Sequence, residues 1–175
     1  MKVIGLAGWS GAGKTTLLKR VIPHLLEEGL RVSVIKHAHH AFDVDIPGKD
    51  SWRHREAGAS EVLVSSSQRW ALMHELRGEE EPRLPDLLGK LSPVDLVVVE
   101  GFKPESHRKI EVHREANGKP LLFPDDPAIS GIATDAAVKT LLPVAHLDDI
   151  PAVAAMMRKF AISVEDLLAR SVSES

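Results

Sequence analysis

The sequence predicts an α/β fold with a mostly parallel sheet flanked by helices on both faces. Three observations carry that expectation. First, the short runs KVIGLA (residues 2–7), RVSVIKH (31–37) and VDLVVVE (94–100) are rich in valine and isoleucine and show no clean polar alternation. That is the pattern of parallel strands covered on both faces. Second, KTTLLKRVIPHLLEEG lies between the first two runs, and its Leu17, Leu18, Val21, Ile22, Leu25 and Leu26 recur at helical spacing. Third, strand, glycine-rich turn, helix and strand follow one another within about 35 residues, which makes a right-handed βαβ unit.

The elements follow in order. Gly29 is a plausible stop for the first helix, and Pro23 inside it removes one backbone donor and should bend it. DSWRHREAGA (50–59) reads as a helix and EVLVSS (61–66) as a strand. LPDLLGKL (84–91) reads as a helix leading into VDLVVVE. KIEVHRE (109–115) and AISGIATD (128–135) read as strands, and IPAVAAMMRKF (150–160) as an amphipathic helix. SVEDLLARS (163–171) reads as a short helix opened by a weak capping box from Ser163 to Asp166. One domain over residues 1–175 is expected, with 168–175 a frayed tail.

Composition narrows the function classes. No run of about 18 apolar residues is present, so no membrane-spanning helix is expected. MKVIGLAGWSG is too short in its apolar part, and too soon broken by glycine, to be a signal peptide. With no cysteine there is no disulfide and no thiolate site, and a reducing cytoplasm is the natural setting. The net charge of −3 gives no general grip on nucleic acid.

GWSGAGKTT (8–16) matches G-x-x-x-x-G-K-[ST] behind a strand and ahead of a helix, the context of a phosphate-binding P-loop. Glycines let successive N–H groups turn inward around a phosphate, and the helix N-terminus adds partial positive charge. Gly8, Ser10, Gly11, Ala12 and Gly13 form the loop. Lys14 reaches the β- and γ-phosphates, Thr15 places its hydroxyl on Mg²⁺, and Thr16 meets the α-phosphate. The fold is therefore that of a P-loop NTPase. VDLVVVE adds a buried strand that ends in an acid at the ligand edge. Glu100 is its candidate for Mg²⁺, through water, with Gly101 beside it.

The segment KHAHHAFDVDIPGKDSWRHREAGA (36–59) starts at the same edge of the sheet. Asp43 and Asp45 could approach the metal, and Lys49, Arg53, His54 and Arg55 could meet phosphates. A solvated loop is the second reading of this stretch. Capture of a transition metal by His37, His39 and His40 is the third, since their spacing is not that of a helix face.

Together, GWSGAGKTTL, VIKHAHHAFDVDIPGKDSWRHREAGA and DLVVVEGFK resemble the MobB family of molybdopterin-guanine dinucleotide biosynthesis adaptor proteins. The resemblance spans about residues 2–134, and its middle segment is the most specific part. It implies a GTP-binding, Mg²⁺-dependent, commonly homodimeric protein with weak GTPase activity. Such a protein supports attachment of GMP to molybdopterin beside the guanylyltransferase that performs the transfer, and molybdopterin itself is a further candidate ligand. Carried onto this chain, the resemblance puts Gly11, Gly13, Lys14, Thr15 and Thr16 on phosphates. It makes Glu100 and Gly101 the second nucleotide-sensing strand end, and sets Asp43, Lys49, Asp50 and Arg53 around the shared site. Related dimeric NTPases carry a lysine early in the loop that acts across the dimer; Trp9 stands there instead. No N-K-x-D guanine-reading sequence occurs. Asp135, at the end of IATD, could read the base or could cap a helix. Two other functions fit the loop: an ATP-dependent small-molecule kinase with an arginine lid near Arg53, and a nickel-delivery GTPase using the histidines.

Overall fold

The structure, a computed structural model, describes residues 1–38, 42–102 and 105–173. In chain order the elements are β1 (Lys2–Ala7), α1 (Lys14–Glu27), β2 (Val32–Lys36), α2 (Asp50–Glu56), β3 (Glu61–Ser65), β4 (Trp70–His74), α3 (Leu84–Leu88), β5 (Leu96–Glu100), β6 (Lys109–His113), β7 (Ile129–Thr134), β8 (Val144–His146), α4 (Ile150–Phe160), β9 (Ile162–Ser163) and α5 (Val164–Ser173). Contacts divide the chain into two compact units, residues 1–37 with 84 onward, and residues 38–83.

The larger unit holds one sheet in the order β2-β5-β1-β6-β7-β8, every neighbour parallel. The α/β expectation is met. β1 lies between β5 and β6, so both its edges are hydrogen-bonded. β6 reaches only Gly5 to Ala7, and β9 pairs antiparallel with the remaining stretch at Lys2 and Val3.

Alternation along the strands sorts the core into two layers. Ile4 and Leu6 of β1, Leu96 and Val98 of β5, and Ile110 and Val112 of β6 pack against Leu17, Val21 and Leu25 of α1 and Val153 and Met157 of α4. Val3, Val97 and Val99 point the other way, onto Leu84 and Leu88 of α3 and Leu167 of α5. This explains why these strands show no polar alternation: each face meets a helix layer. α1 stops at Gly29, whose φ of 84° and N–H bond to the Leu26 carbonyl make the predicted left-handed stop. The Ser163 hydroxyl accepts the Asp166 N–H at 3.0 Å, as the capping reading required.

Among the described residues, the connection from β5 to β6 carries no helix. It brings His107 against β1 at Gly5, where a Cβ would fall 2.4 Å from the His107 Nε2. Only glycine leaves room for that crossing.

The smaller unit is α2 with the antiparallel hairpin β3–β4, in the register Leu63 opposite Leu72 and Ser65 opposite Trp70. Arg55 organises it. Its guanidinium donates to Glu75 at 2.8 Å, Asp45 at 2.7 Å and Asp43 at 2.7 Å. The Glu75 and Asp45 hydrogen bonds hold it firmly protonated. β4, β8 and β9 are absent from the sequence reading.

Candidate functional site

The loop after β1 occupies the C-terminal edge of the sheet, between the ends of β5 and β6. Gly8 has φ of 145° and lies so close to β6 that a Cβ would sit 2.4 Å from the Val112 carbonyl oxygen. Gly13, at φ of 91°, is the N-cap of α1, and a side chain there would be strained. Positive φ at Gly8, Gly11 and Gly13 turns the chain into the start of α1, whose first amides have no partner within the helix and so suit an anion. The Lys14 ammonium donates to the Gly8 carbonyl at 2.7 Å and the Trp9 carbonyl at 3.0 Å, which holds the charge over the loop. Ser10 and Gly11 are exposed, Ala12 is buried, and Thr15 and Thr16 are exposed at the helix start.

The Thr15 hydroxyl donates to the Glu100 carboxylate at 3.1 Å. Two parts of the chain 85 residues apart thus put a hydroxyl and a carboxylate oxygen together beside the glycine loop. Both are hard oxygen donors, the type that suits Mg²⁺. Gly101 follows directly, with φ of 98° and a Cβ position 2.7 Å from the His37 Cβ, so the end of β5 packs tightly on the end of β2.

Residues 114–120 flank the loop on the β6 side, and nothing in the sequence reading singled them out. The Trp9 indole N–H donates to the Pro120 carbonyl at 2.8 Å, and the Lys119 ammonium stands 5.9 Å over the Trp9 ring. Asn117 donates to the Ser10 carbonyl at 3.1 Å. His113 bridges the Thr134 hydroxyl and the Lys119 carbonyl. Trp9 therefore ties the loop to its neighbouring segment. The Asn117-Gly118 pair, a few residues after a strand, was the available turn signal.

Asp135 closes this side at the end of β7. It accepts the Glu115 N–H at 2.8 Å and lies 3.5 Å from Arg114. The Glu115 hydrogen bond chiefly, and the Arg114 charge less, hold its carboxyl below the usual carboxylate range. Asp135 caps no helix, since the next helix after it, α4, is capped by Asp149. Asp148, beyond β8, is likewise held low, first by Arg20 at 2.6 Å.

Asp43, Lys49 and Arg53 belong to the smaller unit. All three are exposed there, with Lys49 and Asp50 at the start of α2. Asp43 pairs with Arg55, as does Asp45, so the basic group read from the sequence reduces to Lys49, Arg53 and His54. His39 and His40 lie outside the described residues. Among the described residues, no three His, Cys, Asp or Glu side chains gather as a metal site.

Comparison with known proteins gives one consistent answer. The family model for molybdopterin guanine dinucleotide synthesis protein B, MobB, matches residues 3–135. A molybdopterin-guanine dinucleotide biosynthesis adapter protein of Escherichia coli K12 is 43% identical over 155 residues, covering 87% of this chain and 89% of that one. Its counterpart in Haemophilus influenzae is 42% identical, covering 87% and 85%. A crystal structure of molybdopterin-guanine biosynthesis protein B superposes with a TM-score of 0.72 at 28% identity, over 90% of this chain and 98% of that one. A MobB homologue from Bacillus stearothermophilus shares the fold at a TM-score of 0.64, over 90% and 98% of the two chains, at 24% identity.

Proposed function

This chain belongs to the MobB family of molybdopterin guanine dinucleotide synthesis proteins, and we propose that it is a Mg²⁺-dependent GTP-binding adapter in that synthesis. It supports the attachment of GMP to molybdopterin beside the guanylyltransferase that makes the bond. The observation that carries the reading is the Thr15–Glu100 contact next to the Lys14-capped glycine nest.

Each group has a physical task. The α1 amides and Lys14 hold the β- and γ-phosphates, and Thr16 holds the α-phosphate. Thr15 and Glu100 hold Mg²⁺, which neutralises phosphate charge when bound. Hydrolysis is slow, which suits a carrier or switch that positions nucleotide for another enzyme. Asp135, at the same sheet edge, would accept the guanine N–H groups.

The protein works as a cytoplasmic homodimer. Leu63, Trp70 and Leu72 share one face of the β3–β4 hairpin and are 61%, 65% and 46% exposed, an apolar face that a second copy covers. No helix among the described residues is long and apolar enough to cross a membrane.

Reconstitution tests the reading. Molybdopterin, GTP, Mg²⁺ and purified guanylyltransferase are combined with and without this chain, and dinucleotide yield is measured. A higher yield with GTP present supports it. No change in yield, together with tighter binding of ATP than GTP, overturns it in favour of a kinase-like protein.

A further inference from the structure

Arg114 has no assigned role, yet it stands against the nest. It follows β6, whose end lies next to β1 at the ligand edge. A Cβ built on Gly13 would lie 3.6 Å from both the Arg114 Nε and Nη2. Gly13 is the N-cap of α1, so the guanidinium sits beside the amides that receive an anion. Its pairing with Asp135 is a single contact of 3.5 Å, and the two side chains are 43% and 27% exposed. That is a long and wet ion pair, of the kind that contributes little by itself. Asp135, by contrast, is fixed by the 2.8 Å bond from the Glu115 N–H. One partner is anchored and the other is free to leave.

Resting on the nucleotide-binding reading above, we infer that Arg114 is a phosphate-binding residue of this site: when a polyphosphate fills the nest, its guanidinium turns from Asp135 onto a phosphate oxygen. The exchange is favourable on charge alone. A polyphosphate carries several negative charges against one on Asp135, and guanidinium forms forked, charge-assisted bonds to phosphate oxygens. Release of Arg114 also frees one carboxylate oxygen of Asp135, while Glu115 keeps the group in place.

The test uses Arg114→Ala and Arg114→Lys in the full chain. Calorimetric affinities for GTP, GMP and inorganic pyrophosphate are measured beside melting temperatures. Expected is a loss of roughly tenfold or more for GTP and pyrophosphate in Arg114→Ala. Arg114→Lys should fall between that variant and wild type, GMP should lose less, and melting should be unchanged. Pyrophosphate carries no base, so its loss reports phosphate contact. Equal affinities in Arg114→Ala and wild type overturn the inference and leave the parent reading standing. So does a loss for GTP with none for pyrophosphate, which would put the guanidinium on base or ribose. A parallel drop in melting and in all affinities makes the residue a brace and also overturns it. A wild-type chain that binds none of the three overturns the parent reading instead.

Discussion

The hydroxyl of Thr15 lies 3.1 Å from a carboxylate oxygen of Glu100. One residue opens α1 and the other ends β5, so the contact joins the glycine loop to the acid-terminated strand across the neighbouring strands β1 and β5. A hydroxyl and a carboxylate so placed are hard oxygen donors, the type that would hold the proposed Mg²⁺.

Removal of that carboxylate is expected to act through the metal. Glu100→Ala should cut the Mg²⁺ enhancement of GTP affinity by roughly tenfold or more. Metal-free affinity should change little. Titrations with Mg²⁺ and with EDTA check this, and equal Mg²⁺ dependence in variant and wild type would take Glu100 out of the site.

Gly5 is expected to be intolerant for a steric reason. A methyl there would meet His107 Nε2 at 2.4 Å, His107 Cδ2 at 2.7 Å and Lys109 Cγ at 2.9 Å. Gly5→Ala should lower stability by roughly 1–3 kcal/mol. Urea unfolding of Gly5→Ala, His107→Ala and the double variant checks it, because the double variant should recover part of the loss. Strict additivity would contradict the crossing contact.

His107 also sets a pH dependence. It is fully buried, and neither ring nitrogen has a hydrogen-bond partner among the described residues. Burial first, and the Lys109 charge second, bring its pKa down from 6.5 to about 4. Between those values the unfolded chain binds the extra proton. The contribution is therefore full above about pH 6.5 and declines as pH falls toward 4, by roughly 3 kcal/mol. His107→Leu should show a flatter fall in urea midpoint from pH 7 to pH 4.5. Identical falls in variant and wild type would mean that His107 titrates normally in the folded state.

Much of this was legible beforehand because it is local. The βαβ unit announces itself through strand composition, helical spacing and the Gly8–Lys14 pattern, all within one short stretch. The features that escaped depend on residues far apart or on weak signals. β4 follows the turn SSQR, which has no Asn-Gly or Asp-Gly pair to mark a hairpin. β8 and β9 span three and two residues, too few for any period to show. The Gly5–His107 crossing joins residues that only the strand order β5-β1-β6 brings together. Arg114 and Asn117 reach the loop because β6 lies beside β1, a neighbour relation that no motif encodes. Arg55 read as one of several cations, while the fold surrounds it with Asp43, Asp45 and Glu75.

The most direct test is calorimetric titration of GTP with Mg²⁺ into the wild-type chain and into Lys14→Ala, with melting curves for both. The account predicts stoichiometric binding by wild type and a loss of roughly a hundredfold or more in the variant, with melting of the ligand-free proteins unchanged. Equal GTP affinity in the two proteins would show that the nest between β1 and α1 is not where nucleotide binds.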